Sequence, residues 1–220
     1  MWSRRLEALL LAAACLSLTV WPAAAQAPPP PIPPFVVDAR VTVPFYPSGD
    51  AVAVAIQETA GTLPGHGLGV TVGAHWYPVR WKAITFGIGG ELFRSKGSRA
   101  PTSEEVMAAS TPPPTLETRL RAFSPQLSFN FGSGNGWSYL SGGMGKATLS
   151  IRQAGVPSLD PAPSATTINY GGGARWFDRD HVAFTLDLRI FAMSPIFDDA
   201  NALILPRTTA VMLNFGVAFK

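Results

Sequence analysis

The chain has 220 residues, the size of one ordinary domain, and a formal net charge of +3; 47% of its residues are hydrophobic and 14% charged, against about 25% charged in a typical soluble domain. Past the N-terminus no run of about 18 apolar residues exists, which excludes a spanning helix, and the small net charge without a basic cluster argues against a nucleic-acid partner. With 21 glycines and a mean hydropathy of +0.19, a secreted β-protein and a membrane β-barrel remain.

Residues 1–25 read as a secretory signal peptide. Arg4 and Arg5 form the basic start, Ala8 to Val20 the apolar stretch, and Trp21-Pro22 breaks it before the small residues Ala23 and Ala25. Cleavage is expected after Ala25, with Ala27 a near alternative, and it takes the net charge from +3 to +2 by removing Arg4, Arg5 and Glu7. A lipoprotein anchored through Cys15 is the rival, but Leu16 to Val20 continues the apolar run past that cysteine. Because Cys15 is the only cysteine, the mature chain has no disulfide, zinc–thiolate or thiol chemistry. Residues 26–34, with Pro28 to Pro31, Pro33 and Pro34, predict a stiff, extended tether.

From 35 to 220 the chain predicts eight strands. Phe35, Val37, Ala39, Val41, Val43 and Phe45 alternate with Asp38, Arg40 and Thr42. The same period of two runs through His66–Tyr77, Ala83–Ser95, Thr166–Phe177, His181–Phe191 and the terminal stretch from Val211, a pattern no helix presents. Leu116–Phe131 changes phase at Pro125, which predicts a β-bulge. Trp137–Ile151 is a strand whose facing stays open. Connections alternate between long (Pro47–Gly65, Lys96–Thr115, Arg152–Ala165, Ala192–Arg207) and short (Pro78–Lys82, Gly132–Gly136, Asp178–Asp180). An even strand number with tight turns on one side and long loops on the other predicts an all-β, eight-stranded antiparallel up-and-down transmembrane barrel with short periplasmic turns and long outer loops.

A soluble β-sandwich also alternates, with its apolar face inward. Aromatic placement favours the membrane. Trp76, Trp81, Trp137 and Trp176 all lie beside the short turns, joined by Tyr77, Tyr139 and Phe219, as an interfacial aromatic girdle requires. The other face carries Asp38, Arg40, Glu91, Arg175, Asp187 and Arg189 among many glycines. These charges belong in the lumen, because hydrocarbon penalises them. Eight strands leave an interior just wide enough for side chains, so they are expected to form an ion-pair network that plugs the barrel.

The signal peptide, the eight alternating strands and the final segment Asn214-Phe215-Gly216-Val217-Ala218-Phe219 resemble the small outer-membrane barrels of Gram-negative bacteria, the OmpA-, OmpX- and OmpW-like group. The resemblance implies location in the outer membrane and contact with its lipid and lipopolysaccharide. It also implies recognition by the barrel assembly machinery through Phe215, Gly216, Val217 and Phe219. Lys220 departs from the group, which usually ends on the aromatic. The group includes anchors, adhesins, pores and enzymes, so fold does not give function. The expectation is a non-enzymatic barrel whose loops serve structural or adhesive contacts, with a narrow pore or small-solute binder as the alternative and an outer-leaflet lipid-modifying enzyme third.

No catalytic, cofactor or metal set stands out. His66, His75 and His181 lack a serine two residues on along the same face, as a nucleophile–base pair on one strand would need. Glu104-Glu105 and Asp198-Asp199 read as solvated loop charge rather than a cation site. Gly171-Gly172-Gly173 lies in a strand with no helix after it, so it is no phosphate loop. The surface ligand is not readable from the sequence.

Overall fold

The computed structural model describes residues 29–156, 163–198 and 200–220; the predicted signal peptide and Cys15 lie outside them, as does Asp199. Eight strands close a barrel: β1 (Phe35–Phe45), β2 (Leu68–Trp81), β3 (Ile84–Arg99), β4 (Leu116–Ser133), β5 (Gly136–Gln153), β6 (Ser164–Phe177), β7 (Val182–Met193) and β10 (Thr208–Phe219). Each pairs antiparallel with its sequence neighbour, and β1 meets β10. A short hairpin, β8 (Ile196–Phe197) with β9 (Leu203–Leu205), sits in the last long loop.

Side chains alternate between the two faces, with one interruption near the end of β2. On β1, Val36, Asp38, Arg40 and Thr42 are buried inward, while Phe35, Val37, Val41 and Phe45 are exposed outward. A row of paired residues begun at Val36 runs through His75, Gly89, Gln126, Gly143, Asn169 and Phe191 to Ala210. Ala210 lies one rung beyond the Phe45–Val211 pair, level with Tyr46, so the row returns to β1 ten positions higher. That stagger fixes the strand tilt of the closed barrel.

Two expectations need correction. The phase change in β4 is not a bulge, because pairing with β3 runs unbroken from Arg99–Leu116 to Ile84–Phe131. With β5 the rungs at Ser124 and Pro125 are missing but the register is the same on both sides. Proline has no N–H to donate, and Gly143 and Gly145 let β5 come close instead: a Cβ at Gly143 would lie 1.8 Å from the Pro125 carbonyl oxygen. The apolar residues switch sides for another reason. Inward Leu116, Leu120 and Ala122 belong to an apolar upper lumen, whereas Leu127, Phe129 and Phe131 face outward lower down. A register shift does occur between Trp76 and Val79, at Pro78, which lies inside β2 rather than in the turn.

The expected girdle is only partly on the outer face. Trp76, Trp81, Trp176 and Phe219 are exposed on the outer face, but Tyr77, Trp137 and Tyr139 are buried inside the barrel. Consecutive strand residues point to opposite faces, so Tyr77 cannot accompany Trp76, and Trp137 and Tyr139 share the inward parity of Ala147 and Leu149.

The long loops carry secondary structure of their own. They hold α1 (Asp50–Ala55), a 3-10 turn (Ala60–Thr62) and α2 (Ser103–Ala108). Helix α2 starts with a reciprocal capping box between Thr102 and Glu105. Arg99 adds a two-pronged contact to Glu105, 2.8 and 3.2 Å, and holds that carboxyl below its usual range.

The tight fit at Pro125 yields a test. Gly143→Ala is expected to destabilise the barrel by about 1–3 kcal/mol through backbone overpacking, seen as a smaller heat-modifiable fraction on electrophoresis. Gly49→Ala, whose Cβ would meet nothing within 4 Å, should leave that fraction unchanged.

Candidate functional site

The lumen is stacked in three layers. At the loop end Tyr46, Phe93, Leu120, Phe191 and Met212 pack together, covered by Val52, Leu63, Ile196 and Leu205 from the loops. At the turn end Val36, Tyr77, Trp137, Tyr139 and Ala218 pack with Ile32 from the proline-rich segment. That segment lies against the turns: Gly134 N donates to Pro30 O at 2.7 Å and Tyr77 N to Pro34 O at 2.8 Å. The charged belt lies between these two apolar layers.

All six predicted lumenal charges meet there, three guanidiniums and three carboxylates, each with a side chain no more than 2% exposed. Arg40 is the hub. It donates to Glu91, lies 2.9 Å from Asp38 and 3.3 Å from Asp187. The Arg40–Asp38 approach is close but not aligned as a hydrogen bond, so it is a Coulombic contact. Arg189 grips Asp187 side-on at 2.9 and 3.3 Å and reaches Glu91 at 3.1 Å. Arg175 donates to Asp38 at 2.7 Å and to the Tyr77 hydroxyl at 2.9 Å, with the Tyr139 ring 4.6 Å from its guanidinium carbon.

Neutral residues add to the shell, while Arg40 Nε and Nη1 and Arg175 Nε have no hydrogen-bond acceptor. Arg189 also donates to Gln126, Asn169 and Ser141 at 2.9, 3.1 and 3.0 Å. Asp187 accepts from Asn214 at 2.8 Å and from Tyr139 at 3.1 Å, and Thr42 donates to Asn214 at 2.6 Å. His75 lies 3.3 Å from Asp38 and stacks on Tyr77. None of these neutral partners was expected in the network, yet each sits at the inward parity of its strand, which is the signal that finds them. The lumenal glycines are sockets for rings as well as room for charges. A Cβ at Gly89 would lie 2.4 Å from the His75 ring, and one at Gly173 2.8 Å from the Tyr139 hydroxyl.

The remaining candidates are dispersed. His66 bridges Phe45 at the loop end, and His181 is exposed at the turn end. Asp198 accepts from Ala200 N and Ala202 N within its own loop, and Glu105 is engaged by Arg99 and Thr102. Among the described residues no group of three His, Cys, Asp or Glu could hold a metal ion. The terminal segment pairs fully on both sides, Phe215 with Val41 and Leu186, and Phe219 with Val37 and Val182. Lys220 donates to Gly134 O at 2.7 Å and lies 4.1 Å above the Phe177 ring, tying the chain end to a turn.

Breaking a buried pair by removing one partner typically costs about 3–5 kcal/mol, because the other charge is left uncompensated. Asp187→Ala is expected to lower stability by that order in urea unfolding from detergent micelles. Asp187→Asn should fall less, since the amide oxygen can still accept from Arg189.

No protein-family model and no curated protein matches the chain by sequence. Solved structures do match. Neisserial surface protein A is 15% identical, with 86% of this chain and 97% of that one covered and a TM-score of 0.56. Ail of Yersinia pestis, in complex with a heparin analogue, is 11% identical over 84% and 96%, TM-score 0.49. OprG of Pseudomonas aeruginosa is 9% identical over 87% and 97%, TM-score 0.47.

Proposed function

We propose that this barrel, which has the fold of the small eight-stranded outer-membrane proteins of Gram-negative bacteria, is a non-enzymatic, sealed protein that presents its long loops at the cell surface for structural or adhesive contacts. The observation that carries the reading is the lumen. A charge-balanced belt spans it, with an apolar layer on either side, and such a filling leaves no continuous water column. Export through a leader spanning residues 1–25, the terminal segment as assembly signal and contact with lipopolysaccharide belong to the same reading.

Loop chemistry supports the contact role. Val54, Met107, Phe197 and Leu203 stand exposed on the loops, beyond the barrel strands, where they are available for partner contacts. Against a lipid-modifying site, His75, among the described residues the one histidine with a carboxylate partner, lies in the lower lumen beside Tyr77, at the turn end of the barrel.

Purified wild type in a planar bilayer is expected to give no stable conductance. A large, ion-selective current would reject the sealed reading in favour of a pore. Orientation is tested on whole cells with an impermeant maleimide. Ser110→Cys, exposed in the α2 loop, should label, and Asn135→Cys, in the β4–β5 turn, should not; the reverse pattern would overturn the topology.

A further inference from the structure

The outer face of the barrel is not uniform. Toward the loop end, β1, β6, β7 and β10 present no outward charge: their outward residues there are Val43, Thr166, Ala192 and Val211 and their neighbours. The three adjacent strands β3, β4 and β5 present six outward cations, Arg94, Lys96, Arg119, Arg121, Lys146 and Arg152, against one carboxylate, Glu117. Glu117 is already engaged by Lys96, Arg119 and Arg152. Arg94, Arg121 and Lys146 have no carboxylate within ion-pair distance among the described residues, and Arg94 is paired directly opposite Arg121. Like charges in that position repel, and the arrangement is unfavourable unless an anion lies against it.

Their height is informative. Each paired row climbs ten positions around eight strands, about 1.25 per strand. Arg94 and Arg121 share a row, and Lys146, opposite Phe123, is one strand further on and two positions lower. The climb therefore brings the three to within about one residue of a common level. At that level the other strands still carry Val43, Leu68, Ala192 and Val211. Counting down to Trp76, Trp176 and Phe219 gives about eight residues, or roughly 21 Å for strands tilted about 40°. The apolar band of such barrels is about 25 Å tall, so the three cations stand at its outer edge. Between them is an outward depression lined by Val70, Leu92 and Phe123 as well as the cations.

We propose that this face binds a phosphorylated, multiply acylated lipid of the outer leaflet, with its headgroup phosphates on Arg94, Arg121 and Lys146 and its chains along Val70, Leu92 and Phe123. The inference rests on the reading that the long loops face outward. A membrane lipid fits better than a soluble polyanion, because the cations lie on the strand wall beside lipid-facing side chains rather than on loop tips. Arginine suits the phosphates, its fork of donors matching two oxygens at once.

The test uses the full barrel in nanodiscs of phosphatidylcholine containing bisphosphorylated lipid A, with lipid retention read by native mass spectrometry. Wild type should retain it, and the R94Q/R121Q/K146Q variant should retain it about tenfold less or weaker still, as three lost phosphate contacts require. R80Q/K82Q/R179Q removes as many charges at the turn end and should match wild type. Heat modifiability verifies folding. If the triple variant does not fold, wild type alone decides: retention of dephosphorylated lipid A equal to that of the bisphosphorylated form overturns the proposal. So does unchanged retention by a folded triple variant. Heparin binding in lipid-A-free discs that is lost in the variant, with lipid A retention untouched, would make this a soluble-polyanion site and likewise reject it. The readout involves neither conductance nor surface labelling, so its failure is separable from failure of the sealed, surface-exposed reading.

Discussion

Charge neutrality inside the lumen is the constraint on which the rest of the structure depends. Asp38, Glu91 and Asp187 share one enclosed space with Arg40, Arg175 and Arg189. Each ion carries a desolvation penalty of several kcal/mol there, offset by close opposite charges and by hydrogen bonds from the surrounding residues. The neutral residues follow from that demand. Gln126, Asn169, Ser141 and Tyr139 occupy donor or acceptor directions the salt bridges leave open. The apolar layers follow as well, since Phe93, Leu120 and Met212 on one side and Tyr77 and Trp137 on the other lower the polarity around the belt, which strengthens its electrostatics.

A packed apolar set of equal volume could be at least as stable as buried ions, so stability alone does not account for the belt. Facing does. A strand of this barrel has to distinguish lipid from lumen, and a slip of one residue exchanges its faces. Slipping β1 would carry Asp38 and Arg40 into hydrocarbon, where a charge near the midplane costs about 2–4 kcal/mol for a basic residue. The belt therefore fixes the register that creates the outward apolar band. The same logic marks β3 to β5 as different: their outward cations lie at the upper edge of that band, where the penalty falls to about 0–1 kcal/mol.

Much of this was legible in the sequence because period-two alternation is a local signal. Strand number, antiparallel closure, long and short connections and the six lumenal charges all follow from parity along single strands. Part of what escaped depends on pairing between strands. The change of hydrophobic side at Pro125 resembled a bulge because the lumen turns apolar toward the loops, and no single strand reveals such layering. Trp137 and Tyr139 sit beside a turn in the sequence, yet their rings point inward, one into the socket left by Gly173. The outward cations are spread from position 94 to position 152 and form no run; only the register of β3, β4 and β5 gathers them on one face. The loop helix α2 carries a local signal in the capping pair Thr102 and Glu105, but at six residues it is too short to show a helical hydrophobic period.

The central claim is that a neutral, water-free belt closes the barrel. The most direct measurement is hydrogen–deuterium exchange of arginine side-chain N–H groups, followed by NMR on the folded protein in detergent micelles. Exposed Arg94 and Arg121 serve as internal references. The account predicts that the guanidinium protons of Arg40, Arg175 and Arg189 persist long after those of the references have exchanged. Exchange of all five at the same rate would show that water reaches the lumen and would contradict the claim.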